Sequence, residues 1–76
     1  MEMVNFITKF SELFESTDVK TFDESTQFKD LEEWSSLISL FVICMADEEY
    51  NVTLKQDDIL VANTIGDIYH LILSKT

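Results

Sequence analysis

Apolar residues recur along this chain at three- and four-residue steps, broken once by a long polar interval. Met3, Phe6, Ile7, Phe10, Leu13 and Phe14 make one such stripe, with Glu2, Asn5, Thr8, Lys9, Ser11, Glu12 and Glu15 among the other positions. The spacing predicts an amphipathic helix over residues 2–15. From Ser16 to about Ser35 the period is lost. Ser16-Thr17-Asp18 and Asp23-Glu24-Ser25-Thr26 are turn and cap chemistry, and Val19, Phe22, Phe28 and Leu31 stand as isolated anchors. A connection of roughly twenty residues is long for a compact domain and calls for packing of its own. Phe28, Leu31 and Trp34 are expected to pin it to the helices, and Trp34 has a second reading as a partner-facing hot spot.

A second helix is predicted over residues 36–50. Leu37, Leu40, Ile43, Cys44 and Tyr50 are assigned to its core face, widened by Val42 and Ala46, leaving Ile38, Phe41 and Met45 toward solvent. Between Leu40 and Ala46 the segment is apolar almost all round, more than one small core can absorb, so another segment, a ligand or a partner must cover the remainder. Asp47-Glu48-Glu49 place acids where the helix dipole favours bases. Asn51 suits a left-handed cap, and Val52-Thr53-Leu54 alternate as an extended link. Asp57 to Val61 suit a short third helix. Thr64 opens a fourth, with Asp67 as its capping partner and Ile65, Ile68, Tyr69, Leu71 and Ile72 as its stripe. The expected architecture is all-α: a single domain over residues 1–76, four helices, a long first loop and a short third helix.

Composition agrees with that outline. Proline is absent and Gly66 is the one glycine, which argues against a turn-rich β fold. Fifteen acids against five lysines give a net charge of −10. Such a surface repels nucleic acid and anionic lipid and attracts basic patches on proteins, though charge also serves solubility alone. No apolar run can span a bilayer, and the N-terminus lacks the basic region of a signal peptide. A soluble, cytoplasmic monomer is expected, with Cys44, the one cysteine, as a small buried thiol.

Catalytic chemistry does not assemble. His70 is the single histidine and has no cysteine at ligand spacing, and there is no Gly-rich phosphate loop. Ser35 and Ser36 remain, at the mouth of the second helix. A serine there is ordinarily an N-cap, and the same position suits a hydroxyl that carries a phosphate.

From Phe28 onward the chain resembles an acyl carrier protein. Phe28, Asp30-Leu31 and Ser35-Ser36-Leu37 fall in the order of that family's phenylalanine, acidic-leucine pair and Asp-Ser-Leu, with Trp34 where many free-standing members have tryptophan. Asp47-Glu48-Glu49-Tyr50 is similar to its acidic-aromatic helix end, with Asn51 where glycine is usual. Thr64-Ile65-Gly66-Asp67 is similar to its Thr-Val-Gly-Asp. The resemblance covers a little over half the chain; the first helix matches only in amphipathic character.

The resemblance implies a non-enzyme: a four-helix carrier whose Ser36 receives 4′-phosphopantetheine from a phosphopantetheinyl transferase. The arm's thiol would carry acyl groups as thioesters, loaded by a ligase and passed to acyl-processing enzymes. Ser35 would cap the helix beside the arm. Trp34, Leu37, Ile38, Phe41, Met45 and Glu48 would meet partners, and Met45, Ile59 and Val61 would line an acyl shelter. Two departures stand out: Ser35 replaces the family's aspartate, and Ile38 and Phe41 replace outward acids. They imply a specialised free-standing member with a more apolar partner surface. An aminoacyl or D-alanyl carrier, and an unmodified adaptor binding through the second helix, are the alternatives.

Overall fold

The computed structural model describes residues 2–15 and 19–75, without the side chains of residues 2 and 19. The predicted turn at residues 16–18, and the side chain of the expected anchor Val19, therefore lie outside the description. Within them the chain forms α1 (Glu2–Ser11), 3₁₀ turns at Val19–Thr21 and Phe28–Asp30, then α2 (Ser36–Tyr50), α3 (Gln56–Val61) and α4 (Ile65–Lys75), with no strand. The protein is an all-α four-helix fold. Among the described residues no helix is long and apolar enough to cross a membrane.

The first helix ends one turn earlier than its stripe. Leu13 and Phe14 donate their N–H groups three residues back, to Phe10 and Ser11, so the chain tightens after Ser11. The buried Ser11 hydroxyl turns back onto the Thr8 carbonyl at 2.7 Å, the local competition that serines offer a helix. The stripe nevertheless stays on one side: Phe6, Phe10 and Phe14 are buried, with Met3, Ile7 and Leu13 half-buried around them.

That aromatic stripe explains how the long loop is held. Phe22 lies 5.1 Å from Phe14 and Phe28 lies 5.7 Å from Phe10, ring centre to ring centre. Trp34 meets Phe28 edge-on at 4.8 Å and stacks on Phe14 at 6.4 Å. Aromatic pairs at these distances add to the area they bury. Leu31 packs half-buried beside them. The far side of the loop docks on the start of α4, where Ile65 N–H donates to the Thr26 carbonyl and Gly66 N–H to the Glu24 carbonyl. A Cβ on residue 66 would stand 3.0 Å from that Glu24 oxygen, which is why glycine occupies the position.

The start of α4 and the end of α2 are capped as their sequences require. Thr64 Oγ1 accepts from Asp67 N–H at 3.1 Å, and Asp67 Oδ2 accepts from the N–H groups of Asn63 and Thr64. Those two backbone donors, Asn63 first, hold the Asp67 carboxyl below the ordinary carboxylate range. Asn51 sits at φ 56° and returns its N–H to the last turn of α2. Val52 and Leu54 are buried and Thr53 exposed, the alternation expected of the link.

One element is turned differently from its expected orientation. In α2 the buried residues are Ile38, Ser39, Val42, Met45 and Ala46, whereas Leu37, Leu40, Phe41 and Cys44 are exposed. The helix is rotated by about one residue, ~100°, from the predicted face. Val42 and Ala46 are central in either orientation; Ile38 and Met45 are corrected from the solvent side to the core, and Leu37, Leu40 and Cys44 from the core to the surface. An all-round apolar helix carries no periodic signal to choose a face. Its small residues decide instead, since Ser39, Val42 and Ala46 let neighbouring segments close on it. The buried Ser39 hydroxyl is satisfied by the Ser36 carbonyl at 2.7 Å, so burying it leaves no orphan donor.

Candidate functional site

Ser35 and Ser36 differ in what their hydroxyls do. Ser35 is in the extended conformation before α2, and its Oγ accepts the Ile38 N–H at 3.3 Å. That is the N-cap bond. Ser36 is the first residue of α2, exposed, and its Oγ is engaged by no hydrogen bond among the described residues. One serine closes the helix and the next presents a hydroxyl to solvent.

Ser36 opens on a groove of about 350 Å³. Trp34, Ser35, Ser36 and Ser39 form its α2 side, Gln56, Ile59 and Leu60 of α3 form the other, and Lys29 closes it from the 3₁₀ turn Phe28–Asp30. Ile59 is buried beneath it. The Ser39 hydroxyl and Gln56 Oε1 approach to 3.4 Å across it, joining α2 to α3. Lys29 Nζ donates to the Leu60 carbonyl at 2.6 Å, joining the loop to the end of α3. That carbonyl belongs to the last turn of α3, where helix acceptors lack partners and a cation is favoured.

The six residues expected to meet partners fall into different places. Phe41, Met45 and Glu48 line a second groove, of about 290 Å³, with Lys9 and Leu13 from the α1 side and Cys44. Met45 is buried and reaches that groove only from below. Ile38 is buried and faces the core, the consequence of the rotation of α2. Leu37 is exposed on the first turn of α2, and Trp34 is half-buried, packed on Phe28 and Phe14 as well as bordering the Ser36 groove. Of the three residues expected to line a shelter, only Ile59 borders the Ser36 groove: Val61 is 72% exposed and Met45 belongs to the other side.

One of the acids at the end of α2 meets a cation from another helix. Lys9 of α1 reaches Glu49 at 3.2 Å and lies 5.3 Å above the Tyr50 ring, giving the α2 C-terminus the cation its own sequence lacks. The bond to Glu49 is the main cause that raises the Lys9 pKa. Sequence reasoning did not single out Lys29 or Gln56. Each meets its partner only after the loop folds across the end of α3, and no local pattern announces contacts between residues 29 and 60 or between 39 and 56. Among the described residues no cluster of histidine, cysteine and acid side chains could hold a metal ion, and His70 is exposed on α4. Compared with protein-family models, curated proteins and solved structures, the chain gives no match.

Proposed function

We propose that this protein is a carrier: Ser36 receives a 4′-phosphopantetheine arm from a separate phosphopantetheinyl transferase, and the arm's thiol holds acyl groups as thioesters. The observation that carries the reading is the division of labour at the start of α2. Ser35 Oγ caps the helix, so the exposed Ser36 hydroxyl is left for chemistry beside a groove that can take the arm. A phosphodiester there lies against the unpaired N–H groups and positive end of α2. The resemblance of Phe28 to Asp67 to acyl carrier proteins supports the same reading. In it the protein is a cytoplasmic monomer that does no chemistry of its own. A ligase loads it, acyl-processing enzymes unload it, and the ligase decides whether the cargo is acyl, aminoacyl or D-alanyl.

The test is a mass spectrum after incubation with coenzyme A and a transferase of broad specificity. The phosphopantetheine increment is expected on the wild type and on Ser35→Ala and is absent from Ser36→Ala. An increment that survives Ser36→Ala moves the site, and an increment on none of the three removes the carrier reading.

A second reading is favoured by the outer face of α2, where Leu37, Leu40 and Phe41 are exposed together. An unmodified adaptor would use this face to bind a basic, partly apolar protein surface. It predicts that Phe41→Asp abolishes partner binding and that Ser36→Ala leaves it unchanged.

A further inference from the structure

The Ser36 groove is an electrostatic exception in this chain. Acids outnumber lysines fifteen to five overall, yet among the described residues no carboxylate lines the groove, and the one charged lining residue is Lys29. The ammonium is held in place: it donates to the Leu60 carbonyl at 2.6 Å and lies 5.8 Å from the Phe28 ring centre. It makes no ion pair among the described residues, where Lys9 and Lys75 each pair with a carboxylate. An ammonium has three protons, and the Leu60 carbonyl takes one. Two donors remain on a positioned cation bordering the same groove as the Ser36 side chain.

We propose that Lys29 is the positioning residue for a phosphate carried on Ser36. The ammonium, anchored on α3, donates to the phosphate oxygens and draws the attached group along the groove between α2 and α3 instead of out to solvent. The inference rests on the carrier reading for the identity of the arm. The lysine–phosphate contact itself requires only a phosphate on this hydroxyl. It also gives Lys29 a task that capping the end of α3 does not explain, because the carbonyl contact occupies only part of its donor capacity.

A chain of 76 residues is within reach of chemical synthesis, so phosphoserine can be placed at position 36 without any transferase. The ³¹P resonance is then titrated in three versions: Lys29, Lys29→Met and Lys29→Arg. A neighbouring cation favours the dianion, so with Lys29 the second phosphate pKa is expected to lie roughly half a unit below that of Lys29→Met. Lys29→Arg should restore the lower value, and 0.5 M salt should shrink the gap (order-of-magnitude screening at a Debye length of about 4 Å). Coincident titrations of Lys29 and Lys29→Met, with unchanged helical spectra, would overturn the proposal. A variant that loosens α3 is separated from one that loses the phosphate contact by the amide spectrum of Ile59 to Ala62. The mass spectrum described above judges the carrier reading, and the titration judges Lys29, so either can fail alone.

Discussion

Replacing Gly66 with alanine should destabilise the protein, although in most helices the same change stabilises. Alanine in place of glycine ordinarily gains about 1 kcal/mol within a helix. At this position the new methyl would stand 3.0 Å from the Glu24 carbonyl oxygen, too close for ordinary contact. The neighbour is backbone, in a turn held by Ser25 N–H donating to Asp23 Oδ1 at 2.8 Å and Asp23 N–H donating to Thr26 Oγ1 at 2.9 Å, so it yields poorly. Relief comes from lifting the loop off α4. That movement breaks the bonds from Ile65 N–H to Thr26 O and from Gly66 N–H to Glu24 O, which satisfy two first-turn donors of the helix. Two net hydrogen bonds are worth roughly 2 kcal/mol. Against the helix-propensity gain, the balance is a loss of about 1 kcal/mol, or a Tm lower by about 4–8 °C for a domain of this size. Thermal unfolding followed by circular dichroism measures the sign directly, and amide exchange should quicken at Ile65 and Gly66. A Tm that rises by several degrees would show that the turn gives way freely and that the clamp argument is wrong.

Three further outcomes follow from the same geometry. Ile38→Asp should unfold or severely destabilise the protein, at a cost of roughly 3 kcal/mol or more, while the adjacent Leu37→Asp should stay within about 0.5 kcal/mol, as urea titration would show. The reverse order would restore the orientation of α2 expected from its sequence. Because the folded Asp67 carboxyl lies below its ordinary range, its contribution to stability is present above the unfolded pKa of about 4 and is lost as pH falls through the folded value. Asp67→Asn should therefore flatten the dependence of the urea midpoint on pH below about 5; superimposable profiles would count against the cap. Cys44, exposed on α2, should react with iodoacetamide in the native state, and protection until unfolding would show that the outer face of α2 is covered.

How far these features could be read from the chain depends on where each signal resides. The start of α4 and its buried stripe were legible, because Ile65, Ile68, Tyr69 and Ile72 stand at helical spacing and Thr64 and Asp67 form a local cap. The anchors Phe22 and Phe28 were legible for a different reason: an isolated phenylalanine in a polar loop has few places to go except the core. The boundaries of α2 were also legible, from Ser35 at one end and Asn51 at the other. Its rotation was not, since Leu37 to Ala46 satisfies either face. The choice falls to Ser39, whose buried hydroxyl is paid for by a carbonyl three residues back and then reaches Gln56.

The candidate site divides along the same line. Ser35 as the cap beside Ser36 was expected from the carrier resemblance, since position alone makes any serine at a helix start a candidate cap; the structure puts the Ile38 N–H on the Ser35 oxygen. The groove beside Ser36 does not follow from position, since it exists only where the loop, α2 and α3 meet. The same holds for the lysines. Lys9 answers the acids that end α2, Lys75 approaches Asp58 at 4.0 Å, and Lys29 answers the last carbonyls of α3. In each case a cation scarce in the sequence reaches across to another segment. Charge composition reveals the shortage of lysine, but only the fold reveals that Lys29 and Ser36 line the same groove.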